Sequence, residues 1–284
     1  MSRMRPCSSL PRSRGPSRGT SSPSTAGCSE NAMTTLAERT ALITGVSGAL
    51  GAAAAATFGR EGARVIGTFR SRPAEAEGAL AGIPESRRAL LHADLDTAEA
   101  ARTLWHRACE MSTIDTVVVN AAALTPTPLD GADEIWDPGW QLSLQVNVVA
   151  AATLMREAAA TMSARGSGTI IAISSWAALQ GSRIPDLGAY AASKAALRNF
   201  AQTLARAHAR SGVRVYTIAP GVVGAGMGTA DLDPAQIDAV ADGLAMGDHV
   251  HPSEVAELAA FLASDRCPSL TGSTIDLNGA SYIR

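Results

Sequence analysis

The residues Tyr190-Ala-Ala-Ser-Lys194 place a phenol and an amine four positions apart, at the head of an alanine-rich segment that reads as helix through about Arg210. That spacing puts both groups on one helix face, where they can converge on a single bound molecule. A free tyrosine ionises near pH ~10 and a free lysine near ~10.4, so neither is an effective base at neutral pH until its surroundings change. A fixed positive charge beside a phenol stabilises the phenolate and lowers its pKa. Such a pair can therefore move a proton. Lys194 is the only lysine in the chain, every other permanently basic side chain being arginine. A planar guanidinium does not replace a compact, rotatable ammonium at close quarters. Taken alone, a YxxxK pattern is equally a lysine on a solvated helix face, so the surrounding elements must decide.

A chain of 284 residues fits one large α/β domain or two small ones. The formal net charge of −2 gives no reason to expect nucleic acid or an anionic membrane as partner. No apolar run reaches the ~18 residues that a membrane span needs. Hydrophobic residues make up 46% and aromatics only 4%, which predicts a core of Ala, Val, Ile and Leu with closely packed helices. Cys7, Cys28, Cys109 and Cys267 show no metal spacing and no disulfide framework, which suggests a reducing, cytoplasmic compartment. The five histidines form no HExxH pattern, and no metal is expected.

Residues 1–34 are Ser, Arg, Pro and Gly with five arginines and a single acid, Glu30, a composition that cannot bury enough surface to fold. They read as a disordered extension, with Met33 as a natural start. The charge resembles that of a transit peptide, but no amphipathic apolar period supports it. From Thr40 the pattern becomes strand (Thr40 to Thr44), glycine turn (Gly45-Val-Ser-Gly48-Ala-Leu-Gly51) and helix (Ala52 to Arg60). Such a turn lets backbone approach a pyrophosphate, and the helix N-terminus offers unpaired N–H donors. A second strand, Arg64 to Phe69, ends at Arg70 and Arg72, where an NAD-binding fold would carry an acid for the ribose 2′-hydroxyl. Arginine suits a 2′-phosphate, the alternative being two solvated loop arginines.

Further strands are expected at Leu90 to Ala93, ending at Asp94, at Thr116 to Val119, ending at Asn120, at Thr169 to Ser174, at Arg214 to Ile218 before Pro220-Gly221, and at Ser273 to Leu277. Helices are expected at Thr97 to Met111, Trp140 to Ala164, Tyr190 to Arg210, Pro234 to Leu244 and Pro252 to Ala263, and residues 124–138, with three prolines, as a surface excursion. Asn147, inside an apolar stretch, is either a satisfied core amide or a functional group. Ser174 and Ser175 sit at a strand's carboxyl end, the edge where ligands bind in an open parallel sheet. The alternation predicts a Rossmann-like, doubly wound α/β sheet of about seven parallel strands in one domain, residues 35–284. Residues 222–250, with Met227, Leu232, Leu244 and Met246, read as a substrate lid for an apolar carbonyl compound or simply as the lid's own core.

From about Thr40 to its end the chain resembles the classical short-chain dehydrogenases/reductases. Thr44-Gly45 through Gly51 looks like their cofactor glycine motif, Asp94 like their adenine-contacting acid, Val119-Asn120-Ala121-Ala122 like NNAG, and Pro220-Gly221 like their PG motif. Asn147, Ser175, Tyr190 and Lys194 match the family's catalytic residues. There are departures. Gly48 and Ala49 give the TGxxGxxG spacing of extended members, Ala122 replaces a glycine, Ala225 stands where a threonine helps hold the nicotinamide amide, and the Ser175–Tyr190 segment is slightly longer than usual.

The resemblance implies an oxidoreductase interconverting a carbonyl compound and a secondary alcohol by hydride transfer, with NADP and, alternatively, NAD as cofactor. Cofactor contacts would come from Gly45, Ser47, Gly48, Leu50, Gly51, Arg70, Asp94, Leu95, Asn120, Ala121, Tyr190, Lys194, Pro220, Gly221 and Val223. Tyr190 would be the acid or base, Lys194 would hold the ribose and, with the oxidised nicotinamide, lower the tyrosine pKa, Ser175 would bind the substrate oxygen, and Asn147 would hold a water linking Lys194 to solvent. Reductases of 3-oxoacyl thioesters on a carrier protein look similar overall. Pairing through the helices around residues 140–164 and 190–210 into a homotetramer or homodimer is implied as well. The competing readings are an NAD-dependent alcohol dehydrogenase of this family and a dinucleotide-binding sensor without turnover. An epimerase of the extended type would need a larger C-terminal domain.

Overall fold

The computed structural model describes residues 35–224, 226 and 233–283. The extension over residues 1–34, the Ala225 contact and the lid residues Met227 and Leu232 lie outside the described residues.

Seven parallel strands form one sheet in the order β3-β2-β1-β4-β5-β6-β7. They are β1 (Thr40–Ile43), β2 (Arg64–Phe69), β3 (Arg88–His92), β4 (Thr116–Val119), β5 (Gly168–Ile173), β6 (Val213–Pro220) and β7 (Thr274–Leu277). Strand residues alternate between two apolar layers, as the pleat requires. Leu42, Val117, Ile170 and Val215 face one layer with α3 (Ala98–Met111), α5 (Ala151–Arg165) and α7 (Gly188–His208). Ile43, Val118, Ile171 and Ile218 face the other with α1 (Ala49–Arg60), α2 (Pro73–Leu80) and α9 (Pro252–Ala263). With both faces covered, the strands are continuously apolar, which is why β1 and β4 read as short hydrophobic runs.

The chain runs outward from β1 to β3 on one side and from β4 to β7 on the other. The strand order therefore reverses between β1 and β4, and the crevice at the carboxyl ends there is where an open α/β sheet binds ligands.

Three elements differ from the sequence-based expectation. The helix expected from Trp140 begins earlier: α4 (Asp133–Leu144) contains Pro138, so part of the supposed surface excursion is helical. Proline interrupts a helix by removing one N–H donor, yet here packing prevails, because Gly139 and Ser143 on the same element are buried. Second, α4 does not run straight into α5: Gln145–Ala150 form a π-helical turn between them. Third, α2 follows Arg72 with Pro73 in its first turn and buries Ala76 and Leu80, an i,i+4 pair that went unassigned from sequence. The segment expected as a lid contains α8 (Pro234–Asp242), started by a reciprocal Asp233–Gln236 capping box. A short α6 (Ala177–Gln180) lies between β5 and α7. Among the described residues no helix is long and apolar enough to cross a membrane.

Candidate active site

β5 and α7 bring the chemical residues together. Ser175 lies two residues past the end of β5 and is buried. Its hydroxyl accepts the Ala177 N–H at 3.2 Å and faces the phenol of half-buried Tyr190 closely enough to oppose part of its pKa shift. Lys194, one helical turn on, is only 2% exposed. Its Nζ donates to the Ile173 carbonyl at 2.8 Å and stands 5.7 Å from the centroid of the Tyr190 ring. The neighbouring Ser174 hydroxyl donates to the Lys194 carbonyl at 3.0 Å. Strand and helix are thus joined through both the side chain and the backbone of the one lysine.

Burial sets the electrostatics of the pair. Burial pushes Tyr190 up to about 12, the Ser175 hydrogen bond opposing it in part. Burial likewise pushes Lys194 down to about 8. Desolvation penalises the charged form of each group, and the ammonium is directed at a strand carbonyl rather than at the phenol oxygen. In this state the neutral phenol is a proton donor, while the amine titrates close to physiological pH.

Asn147 sits in the π-helical turn and is 1% exposed. Its amide nitrogen donates to the Ala123 carbonyl at 2.8 Å and to the Ser193 hydroxyl at 2.9 Å, and its oxygen accepts the Ala123 N–H at 2.7 Å. The side chain is thus committed to structure: it fixes the segment after β4, and through Ser193, which donates to the Tyr190 carbonyl at 2.7 Å, it reaches α7. Of the two readings that the sequence left open, the satisfied amide describes the side chain. The π-turn in which it sits departs from the regular i→i−4 ladder.

The glycine turn connects β1 to α1. Thr44, named from the sequence only as the first residue of the glycine motif, organises it: the Thr44 hydroxyl accepts the N–H groups of Asn120 and Ala121, each at 2.9 Å. The Asn120 amide donates to the carbonyls of Thr44 at 2.9 Å and Gly45 at 3.3 Å. Asn120 is therefore a staple between two strand ends. Gly45 has a φ of 76°, in the left-handed region. A Cβ on Gly51 would lie 2.2 Å from the Gly45 carbonyl oxygen, whereas one on Gly48 would meet nothing nearer than 3.6 Å. Gly51 thus permits close docking of helix on turn, and Gly48 leaves the approach open. α1 starts with no side-chain cap, so its first N–H groups face that approach with Ser47 and Leu50 alongside. These features fit a pyrophosphate.

The other expected cofactor residues lie along the same carboxyl edge. Arg70 and Arg72 follow β2, both exposed and, among the described residues, without an ion pair. Asp94 is exposed just past β3, and Leu95 packs against the core beside it. Pro220 ends β6, its carbonyl accepting the Trp176 N–H at 2.9 Å. A Cβ on Gly221 would lie 3.0 Å from Asn278. Val223 pairs in parallel with Val250. Of the apolar lid residues, Met246 is 71% exposed and so is not lid core.

Comparison with known proteins agrees with this geometry. Residues 45–279 match the family profile described as "Enoyl-(Acyl carrier protein) reductase". The 3-oxoacyl-[acyl-carrier-protein] reductase of Rickettsia conorii is 33% identical over 88% of this chain and 100% of its own length. The human (3R)-3-hydroxyacyl-CoA dehydrogenase is 30% identical over 86% of this chain and 95% of its own. Among solved structures, a 3-oxoacyl (acyl-carrier-protein) reductase from Agrobacterium tumefaciens with NADP bound superposes with a TM-score of 0.80 at 33% identity, covering 87% of this chain and 95% of that one. Agreement over this length, on the same seven-stranded frame, means that the chain belongs to the short-chain dehydrogenase/reductase family of oxidoreductases.

Proposed function

We propose that this oxidoreductase interconverts a carbonyl compound and a secondary alcohol with NADP(H), using Ser175, Tyr190 and Lys194 on side chains and Asn147 through its backbone turn. The observation that carries the reading is the convergence of a buried serine hydroxyl, a neutral phenol and a buried amine at the carboxyl end of β5. When bound, the nicotinamide supplies the hydride in reduction and accepts it in oxidation.

The chain's own residues do the rest. The backbone of Gly45, Ser47, Gly48, Leu50 and Gly51 would hold the pyrophosphate. Arg70, with Arg72, would hold the 2′-phosphate, and Asp94 and Leu95 the adenine. Asn120, Ala121, Pro220, Gly221 and Val223 would line the nicotinamide end. Ser175 would bind the substrate oxygen, and Tyr190 would donate its proton there as the alcohol forms. Lys194 would hold the ribose hydroxyls and return a proton to the tyrosine, a role that suits an amine pushed down to about 8.

The arginines after β2, without an ion pair among the described residues, support NADP over NAD, as do the NADP-bound A. tumefaciens reductase and a putative NAD(P)-dependent gluconate 5-dehydrogenase from Beutenbergia cavernae with NADP, 30% identical at a TM-score of 0.78. The names of the relatives make 3-oxoacyl thioesters the first substrates to test. We take residues 35–284 as one catalytic domain, 222–250 as its lid, and the protein as cytoplasmic. Leu144 and Val149, each 40% exposed along α4 and the π-turn, support a homo-oligomer.

The test is ligand-induced thermal stabilisation with NADPH and NADH separately, followed by carbonyl reduction by wild type and Tyr190→Phe. A larger shift with NADPH, and a loss of turnover by a factor of hundreds or more in a variant that keeps the shift, are expected. No shift with either nucleotide, or wild-type-like turnover in Tyr190→Phe, would overturn the reading.

A further inference from the structure

α7, which carries Tyr190 at its third position, begins without a local cap: Leu187 precedes it and offers no side-chain acceptor to the first-turn N–H groups. The acceptor comes from elsewhere in the chain. Thr127, between β4 and α4 and 0% exposed, accepts the Ala189 N–H at its Oγ1 at 3.3 Å. The same hydroxyl donates its proton to the Asp186 carbonyl at 3.1 Å, leaving its lone pairs for Ala189, and the Thr127 N–H donates to that carbonyl at 2.6 Å. Three hydrogen bonds thus join Thr127 to the last turn before α7 and to the residue next to Tyr190.

The segment that carries Thr127 is anchored at both ends. On one side Asn147 holds both the N–H and the C=O of Ala123. On the other, the Thr127 methyl lies against α4, where a Cβ on Gly139 would come within 2.6 Å of it. A side chain so enclosed has one conformation to offer, and its oxygen is the part aimed at α7.

We infer that Thr127 is a positioning residue: it caps α7 from across the chain and so fixes Tyr190 in register with the Ser175 hydroxyl. The inference rests on the proposed role of Tyr190 in proton transfer. A displacement of about 1 Å in a catalytic group is enough to cost on the order of a hundredfold in rate, and a helix start held by one non-local acceptor is a place where such a shift can arise.

Thr127→Val keeps the shape and the methyl contact but removes the oxygen, and Thr127→Ser keeps the oxygen. Hydrogen exchange of the α7 N-terminal amides, read in the full-length protein, tests the cap without reference to activity. Exchange at Ala189 and Tyr190 is expected to rise about tenfold or more in Thr127→Val and to return toward wild type in Thr127→Ser. With a carbonyl substrate that the wild type reduces, Thr127→Val is expected to lower kcat about tenfold or more with KM nearly unchanged, and Thr127→Ser to restore most of it. In a Tyr190→Phe background, Thr127→Val should cost almost nothing further, whereas a general loss of folded enzyme would lower both backgrounds alike.

Unchanged exchange in Thr127→Val overturns the inference, as does faster exchange with unchanged kcat or an equal loss in both backgrounds. A wild type that reduces no carbonyl compound defeats the proposed function instead, and the exchange measurement then decides the cap alone.

Discussion

The Nζ of Lys194 stands 5.7 Å from the centroid of the Tyr190 ring while donating to the Ile173 carbonyl at 2.8 Å. The amine and the phenol are therefore neighbours through a ring face, and the lysine is held by the strand and not by the phenol. Burial then governs both, pushing Tyr190 up to about 12 and Lys194 down to about 8.

That arrangement makes stability depend on pH. The folded-state pKa of Lys194 lies below its ordinary value of 10.5, so between about pH 8 and 10.5 the unfolded chain binds more protons, and stability rises with pH there. The whole effect is on the order of 3 kcal/mol, present above the upper bound and lost as pH falls through about 8. Urea unfolding at pH 7.5 and 9.5 should give the wild type a gain of about 2 kcal/mol that Lys194→Met lacks. Equal pH dependence in the two proteins would mean that the amine is not desolvated.

Arg70 and Arg72 have no competing carboxylate among the described residues. Replacing both with alanine removes charge-assisted bonds to a 2′-phosphate, each worth roughly 1.5–3 kcal/mol. NADPH affinity should fall by about tenfold to a hundredfold or more, with NADH affinity within about twofold of wild type. Titration of both nucleotides by fluorescence reads this directly, and a parallel loss for the two would remove the arginines from the phosphate site.

The two glycines at the start of α1 should respond very unequally to one added methyl. Gly51→Ala would drive a Cβ to 2.2 Å from the Gly45 carbonyl oxygen, so α1 must move off the turn. A loss of about 3 kcal/mol or more is expected, together with loss of nucleotide binding. Gly48→Ala, with nothing closer than 3.6 Å and a φ of −96°, should fold within about 1 kcal/mol of wild type. Thermal melts with and without NADPH separate the two. Equal stability of both variants would contradict the packing described.

Much of this site could be read from local patterns. Tyr190, Lys194 and Ser175 were legible because helix spacing and a strand's carboxyl end place them without knowledge of distant contacts. The strands were legible because burial on both faces makes them uniformly apolar. Where long-range packing decides, the sequence was silent or misleading. Pro138 argued against a helix that Gly139 and Ser143 hold by burial, and nothing local marks the π-turn at Asn147. The hydroxyl of Thr44, within a legible motif, and that of Thr127, in an unassigned loop, show no partner until the fold brings Asn120 and Ala189 to them. The direction of the Lys194 ammonium was illegible for the same reason, since within a buried site it is set by the carbonyl it finds.

The single lysine has a chemical consequence for an oxidoreductase of carbonyl compounds. Primary amines condense with carbonyl compounds to give imines, and most proteins present many such amines to their own substrates. Here the side-chain cations outside the site are all guanidinium groups, and the one ε-amino group is 98% withdrawn from solvent beneath the tyrosine. The exterior, its α-amino group apart, is inert toward that side reaction.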